Sequence, residues 1–494
     1  MRGIFSAKSS HPLADAREAR RILDGLAAEE PSAALDAISG WLESVVADEL
    51  LRLPDCLGLV LRLDEAAQPH TRRLARHYLT SPRLGRQQEY RLWKANHDFW
   101  ALLASAYENC LDRFQDAEKG AASIRPQLPL FVVRLLRALA TQLKWAQFRY
   151  GPIEDLLWQR MGRAYLFAEA ENFSEQPLAP YAGVPGESSA RLEYLKALVF
   201  QVSSMDSLMP LEIEIAERCL GHYLPLFAFG REAAAPNAWW VNAARSLPPR
   251  RLAAKPQAGP GLRFFAAGTA PAKLGQLRQQ VERGEVPAEI NLGAQYSPRI
   301  LLPVLNHLSL YWASRPPTRS HDRHQVSSRL AAVSGLGSIH GLLTRYGGSK
   351  FEHWTVEDVS LGGMGARVAP GRDGWVRVGA LLGMQPEGGD NWLVGVIRRF
   401  NRIDHGRGRV GIETLSRSPQ AIAGDLGGVA CQAILLDTMR SGETVRVILP
   451  NAAFEPAVPL VFPWQGRSAR LDPVGQLRAG AEFDLGLYRV QPPA

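Results

Sequence analysis

The hydrophobic period of this chain changes once, near two adjacent prolines at Pro316 and Pro317, and that change dictates a helical part followed by a β part. From about Ala14 to Phe229 apolar residues recur at helical spacing. Leu92, Phe99, Leu103, Ala106, Cys110 and Phe114 stand seven, four, three, four and four residues apart, which places them on one face of a helix. Leu192, Leu195, Val199 and Val202 repeat the pattern. Gly/Pro-rich runs such as Gln176–Glu187 mark turns between such segments. This part reads as about eight helices in succession, forming an all-α bundle or a solenoid-like array. The stretch Leu156–Phe173 loosely resembles tetratricopeptide helices, but no strict repeat of about 34 residues is present.

Loop-like Pro, Gly and Ala clusters follow, with two further helices expected around Lys273–Glu285 and Arg299–Trp312. Adjacent prolines cannot continue a helix and favour extended backbone. Beyond them the period is two. Short runs at Trp354–Ser360, Gly365–Val368, Trp375–Val378, Trp392–Phe400 and Arg409–Leu415 are separated by turn residues, and Val410, Ile412 and Thr414 alternate with Gly411 and Glu413. Several short strands at close spacing indicate a small antiparallel barrel. Alternation resumes at Val445, Val447 and Leu449 and at Phe483, Leu485 and Leu487. That last piece is either a second β-module or an extension of the barrel. The expected fold class is therefore multidomain α+β. Its parts are a helical domain (1–230), a mixed, mainly helical connecting region (231–318), a β-barrel (319–417) and a C-terminal β-module (424–494).

A chain of 494 residues is too long for one hydrophobic core, in keeping with this division. No apolar run reaches the length of about 18 residues that spans a bilayer, so no membrane insertion is expected. The nearest candidate, Leu128–Ala140, is broken by Arg134 and Arg137 and reads as an amphipathic helix. The N-terminal residues have no apolar core of a secretory signal, so the expected location is the cytoplasm. Net charge is +8, but only eight of the 57 basic residues are lysine and none form a basic block; no nucleic-acid partner is expected. Trp375 and Trp392 are not part of the dense array of aromatics and arginines that single strands use. Cys56, Cys110, Cys219 and Cys431 lack paired spacing and read as buried thiols rather than zinc ligands or a disulfide framework. His321 and His324 have no further ligand cluster near them. No Walker A, GxSxG or HExxH motif is present, and the segment Glu387–Trp392 contains Gly-Gly-Asp without the acidic residue that would follow in a nucleotide cyclase. Neither catalysis nor a cofactor or metal is expected.

Two motifs stand at the start of the β part: Arg319-x-x-x-Arg323 ahead of the first strand, and Asp358-x-Ser360-x-x-Gly363 between two strands. In an arginine-rich chain the first pattern recurs by chance, whereas the second is expected about once in ten chains of this length, so order and context carry the weight. A guanidinium matches a phosphate or the O6/N7 edge of guanine bidentately and stacks on a purine. A carboxylate accepts from guanine N–H groups, serine offers a hydroxyl, and glycine permits close backbone approach.

Together, and followed by barrel strands ending at Leu415, these motifs resemble the PilZ domain. The resemblance implies a PilZ-type barrel and a cyclic di-GMP site at Arg319, Arg323, Asp358, Ser360 and Gly363. It also implies a receptor that couples second-messenger binding to a protein partner held by the helical domain. The alternative is an interaction scaffold whose barrel no longer binds nucleotide. The chain departs from the family pattern in two places. Thirty-four residues separate Arg323 from Asp358, a span that includes a short helix inserted near Ser334–Phe351, and Thr318 stands where many binders carry a further arginine. These departures leave open whether one ligand molecule or an intercalated pair binds, and whether the chain dimerises.

Overall fold

In the computed structural model the described residues are 11–81, 84–233, 238–254, 256–288, 296–315, 322–344, 351–369, 374–404, 406–480 and 482–492. The chain divides into two compact units, one of Met1–Arg149, Ile153–Met205 and Pro210–Pro316, the other of Tyr150–Pro152, Asp206–Met209 and Pro317–Ala494.

The first unit begins with α1 (Ala16–Ala28), α2 (Pro31–Ala47), α3 (Leu53–Thr80), α4 (Arg86–Gln115) and α5 (Ala121–Ile124). It continues with α6 (Leu128–Phe148), α7 (Asp155–Ala170), α8 (Ala190–Val202) and α9 (Pro210–Tyr223). Side-chain caps start the first two helices: Asp15 accepts from the backbone N–H groups of Arg17 and Glu18, and Glu30 from those of Ser32 and Ala33. The helix α6 departs from the amphipathic reading. Its two arginines point inward, and most of its residues are buried. Arg134, 2% exposed, donates to the Pro180 carbonyl at 2.8 Å and to Glu65 at 2.7 Å, with Asp64 at 3.6 Å, while Arg137 pairs with the buried Glu193. Burial of these charges is tolerated because each guanidinium meets acceptors on other elements. Burial pushes the Asp64 carboxyl above its usual range, although Arg134 and the hydroxyls of Tyr107 and Tyr181 oppose this. Cys56 and Cys110, far apart in sequence, bring their sulfurs to 3.9 Å on α3 and α4, and all four cysteines are buried free thiols.

The sequence reading names no strand between 231 and 318, yet four occur at or near this stretch. They are β1 (Ala228–Gly230), β2 (Trp239–Asn242), β3 (Arg250–Arg251) and β4 (Leu262–Ala266), paired antiparallel in the order β1-β4-β2-β3. Strands of two to five residues are too short for alternation to register. Two helices follow, α10 (Ala270–Glu282) and α11 (Pro298–Trp312), and the buried Trp312 donates to the Ser203 hydroxyl at 2.9 Å. Among the described residues no helix is long and apolar enough to cross a membrane.

The second unit holds two closed six-stranded barrels. The first contains β5 (His324–Ser334), then the helix α12 (Leu336–Leu343), then β6 (Glu352–Ser360), β7 (Gly363–Val368), β8 (Leu381–Pro386), β9 (Leu393–Arg402) and β10 (Gly408–Ser416). Its strands run in the order β10-β7-β6-β5-β8-β9, and β9 pairs with β10 to close the ring. Leu330, Trp354, Val356, Ala366, Phe400 and Val410 are among the residues that fill the interior. The second barrel comprises β11 (Gln420–Leu426), β12 (Val429–Leu435), β13 (Thr444–Pro450), β14 (Leu460–Trp464), β15 (Arg467–Ala479) and β16 (Phe483–Val490). It closes independently in the order β11-β12-β13-β16-β15-β14 around Val447, Leu460, Leu471 and Tyr488, so it is a module and not an extension.

An apolar seam joins the two barrels. Val333, Leu381, Val394 and Leu415 of the first pack with Ile434, Ile448 and Phe483 of the second. The inserted helix α12 belongs to this seam: Ile339 is 1% exposed, and His340 Nε2 donates to the Ile422 carbonyl at 3.2 Å. The inserted helix thus supplies apolar surface to the joint and satisfies a carbonyl of β11, an edge that would otherwise be open there.

Candidate functional site

Of the five residues expected to bind ligand, Arg319 lies outside the described residues. The other four are placed by the β5–β6–β7 sheet. Arg323 immediately precedes β5, whose register sets His324 opposite Val359 and Gln325 opposite Asp358. The Arg323 guanidinium donates to Asp358 Oδ1 at 2.5 Å. The motif spacing of 34 residues is therefore closed by strand pairing, with α12 looped out at the far end of β5.

The orientation of Asp358 depends on a bulge. On β6 the side chains of Trp354 and Val356 face the barrel interior, and strict alternation would send Asp358 inward as well. The pairing with β7 slips between Val356 and Asp358, leaving Glu357 as the extra residue. Val359 then takes the interior position, and Glu357 and Asp358 both face outward. Arg409 on β10 documents the result, since its guanidinium reaches both acids: Glu357 at 2.8 Å and Asp358 at 3.6 Å. Arg367 on β7 pairs with Glu357 at 2.6 Å. The Asp358 side chain lies over Gly365, where an added Cβ would meet both carboxylate oxygens at 2.8 Å.

Ser360 and Gly363 pair across the tight turn between β6 and β7, and the Ser360 hydroxyl donates to the Gly363 carbonyl at 3.2 Å. Gly363 has a packing requirement of its own: a Cβ there would sit 2.0 Å from the Ile412 carbonyl oxygen of β10. The arrangement offers a nearly buried carboxylate, 4% exposed, with a guanidinium on each side and a hydroxyl at the adjoining turn. In such a set the carboxylate can accept from N–H groups and the guanidiniums can donate to anionic or carbonyl oxygens.

The sequence reading missed Glu357, Arg367 and Arg409. Alternation on β10 places Arg409 outward, but no local pattern reveals that β10 lies beside β7. Among the described residues no cluster of three or more His, Cys, Asp or Glu could hold a metal ion. His321 lies outside the described residues.

Comparison with known families bears on the other unit. Residues 17–234 match the family of the cyclic-di-GMP receptor FimW, N-terminal domain. The chain's helical N-terminal region and the two six-stranded barrels that follow it in sequence fit a PilZ-like cyclic di-GMP receptor. A search of curated proteins returned no match to the chain.

Proposed function

We propose that the protein is a cyclic di-GMP receptor whose first barrel binds the dinucleotide through Arg319, Arg323, Asp358, Ser360 and Gly363. One observation carries this reading: the β5–β6 register and the β6 bulge set Arg323 against a nearly buried, outward-turned Asp358. Asp358 is nearly buried while Arg323 is one-third exposed, so a solute can reach the guanidinium of the pair from solvent. The same pair suits ligand exchange, since guanine N–H donors can take over from the guanidinium at Asp358 while Arg323 turns to a phosphate. The similarity of residues 17–234 to a receptor domain supports the same ligand from an independent part of the chain.

In this reading the helical unit is the surface that meets a protein partner, and the chain works in the cytoplasm without catalysis or cofactor. Arg319 and Arg323 stand at the junction between the helical and β parts of the sequence. Engaging them with a ligand, with Arg323 exchanging Asp358 for the nucleotide, is a local change of the kind that shifts a conformational equilibrium. Calorimetric titration of the full chain with cyclic di-GMP tests the core of the proposal. A Kd of about micromolar or tighter, with far weaker binding of GTP, is expected. No heat and no thermal shift at high micromolar dinucleotide would leave the scaffold reading in its place.

A further inference from the structure

The outer face beside Asp358 extends further than the two motifs. Register places Asp358 of β6 opposite Gly365 of β7, and Gly365 opposite Gly411 of β10. Met364, Ala366, Val410 and Ile412 fill the barrel interior, so Gly365 and Gly411 face outward with Arg367 and Arg409. Gly411 thus presents backbone without a side chain beside Gly365, over which the Asp358 carboxylate lies. At Gly411 an added Cβ would meet only the Cβ of Arg399, at 3.4 Å, so the barrel itself does not demand glycine there.

Arg409 stands beside these glycines, with its side chain 54% exposed. Its Nε lies 2.8 Å from Glu357 Oε2 in an ion pair, which holds the guanidinium beside Asp358. The nearest approach to Asp358, 3.6 Å, is too long for a hydrogen bond, so that end of the fork is available to another acceptor. Arg367 differs, because its Nε and Nη2 both donate to Glu357 Oε1, at 3.0 and 2.6 Å.

We infer that Arg409 is a further ligand-binding residue of this site, donating to O6 of a guanine whose N–H groups are accepted by Asp358, and that Glu357 is its positioning residue. The inference rests on the cyclic di-GMP reading given above. Guanine carries O6 directly beside its N1–H, so a donor beside an acceptor reads that edge. Adenine presents an amino donor at the same place and would face a guanidinium with like polarity. At Gly411 the missing side chain leaves room for the ring beside the carboxylate. Arg409 would thereby determine base specificity.

Calorimetry on the full chain with cyclic di-GMP tests this, using Arg409→Ala, Glu357→Gln, Arg367→Ala and Arg323→Ala. Arg409→Ala should weaken binding at least about tenfold, the scale of one bidentate contact to guanine, with the melting temperature nearly unchanged. Glu357→Gln should lose part of that affinity, and the loss should disappear when Glu357→Gln is combined with Arg409→Ala, which a merely structural role would not produce. Arg367→Ala should stay within about threefold of the parent protein, as expected of a charge that reaches no ligand. If the parent protein binds and Arg323→Ala weakens it while Arg409→Ala does not, the inference fails and the receptor reading stands. Equal losses in Arg367→Ala and Arg409→Ala would reduce the effect to overall charge and overturn it. Absence of binding by the parent protein overturns both.

Discussion

Replacing Arg323 with alanine should destabilise the ligand-free barrel as well as weaken binding, which a solvated linker arginine would not do. The partner it leaves behind is Asp358, 4% exposed and bonded at 2.5 Å. A fully exposed pair contributes about 0–1 kcal/mol, whereas stranding a buried charge costs about 3–5 kcal/mol. Here Arg323 is one-third exposed and Arg409 remains 3.6 Å from the same carboxylate, which puts the cost between those limits, at about 1–2 kcal/mol. For a unit of this size that is a fall of about 3–6 °C in melting temperature. The stacked pair Trp354 and Trp375, 5.3 Å apart in this barrel, contributes to the near-ultraviolet circular dichroism followed in the melt. A double-mutant cycle with Asp358→Ala should return a coupling of about 1–2 kcal/mol, because alanine at 358 removes the charge that Arg323→Ala strands. In titrations the loss of Arg323 should weaken cyclic di-GMP by about 1.5–3 kcal/mol. An unchanged melting temperature together with zero coupling would mean that the pair does not persist in solution. The geometric argument for the site would then fail.

Gly363→Ala should unfold the first barrel or lower its melting temperature by many degrees, because its Cβ would overlap the Ile412 carbonyl, whereas Gly411→Ala should melt like the parent protein; equal behaviour would contradict the strand spacing. Ile339→Ala in α12 should cost about 2–4 kcal/mol and expose the link between the barrels to limited proteolysis, with separate melting of the two barrels as the sign that the seam is lost. In the helical unit, burial alone would raise Glu193 and Glu217, but Arg137 and Lys196 beside the first, and Lys144 and Lys196 beside the second, hold both below the usual carboxylate range. The folded state therefore binds these protons less readily than the unfolded one, and the stability they contribute is complete above about pH 4.3 and lost as pH falls through their depressed values. Urea titrations between pH 7 and pH 3 check this, and a helical unit whose midpoint rose on acidification would refute it.

Much of the local geometry of the candidate site could be read along the chain. Asp358, Ser360 and Gly363 fall at a strand–turn–strand junction as the turn residues imply, and the order of the motifs places the arginines ahead of the first strand. The change of period near Pro316 marked where the barrels begin, though not the short sheet β1–β4 before it, and the 34 residues between Arg323 and Asp358 announced the helix that became α12. These are local properties, fixed by backbone geometry and side-chain alternation within a dozen residues.

What the chain alone did not disclose depends on partners distant in sequence. Alternation points Asp358 into the barrel, and only the slipped pairing of β6 with β7 turns it outward beside Glu357. Arg409 lies 51 residues beyond Asp358 and reaches it because β10 pairs with β7, a neighbourhood no periodicity encodes. The same holds for Arg134, which looks like the polar stripe of an amphipathic helix until Glu65 and the Pro180 carbonyl are brought to it from elsewhere. A hydrophobic pattern states which face of an element avoids water, whereas the partner of a charge is chosen by which elements come to lie side by side.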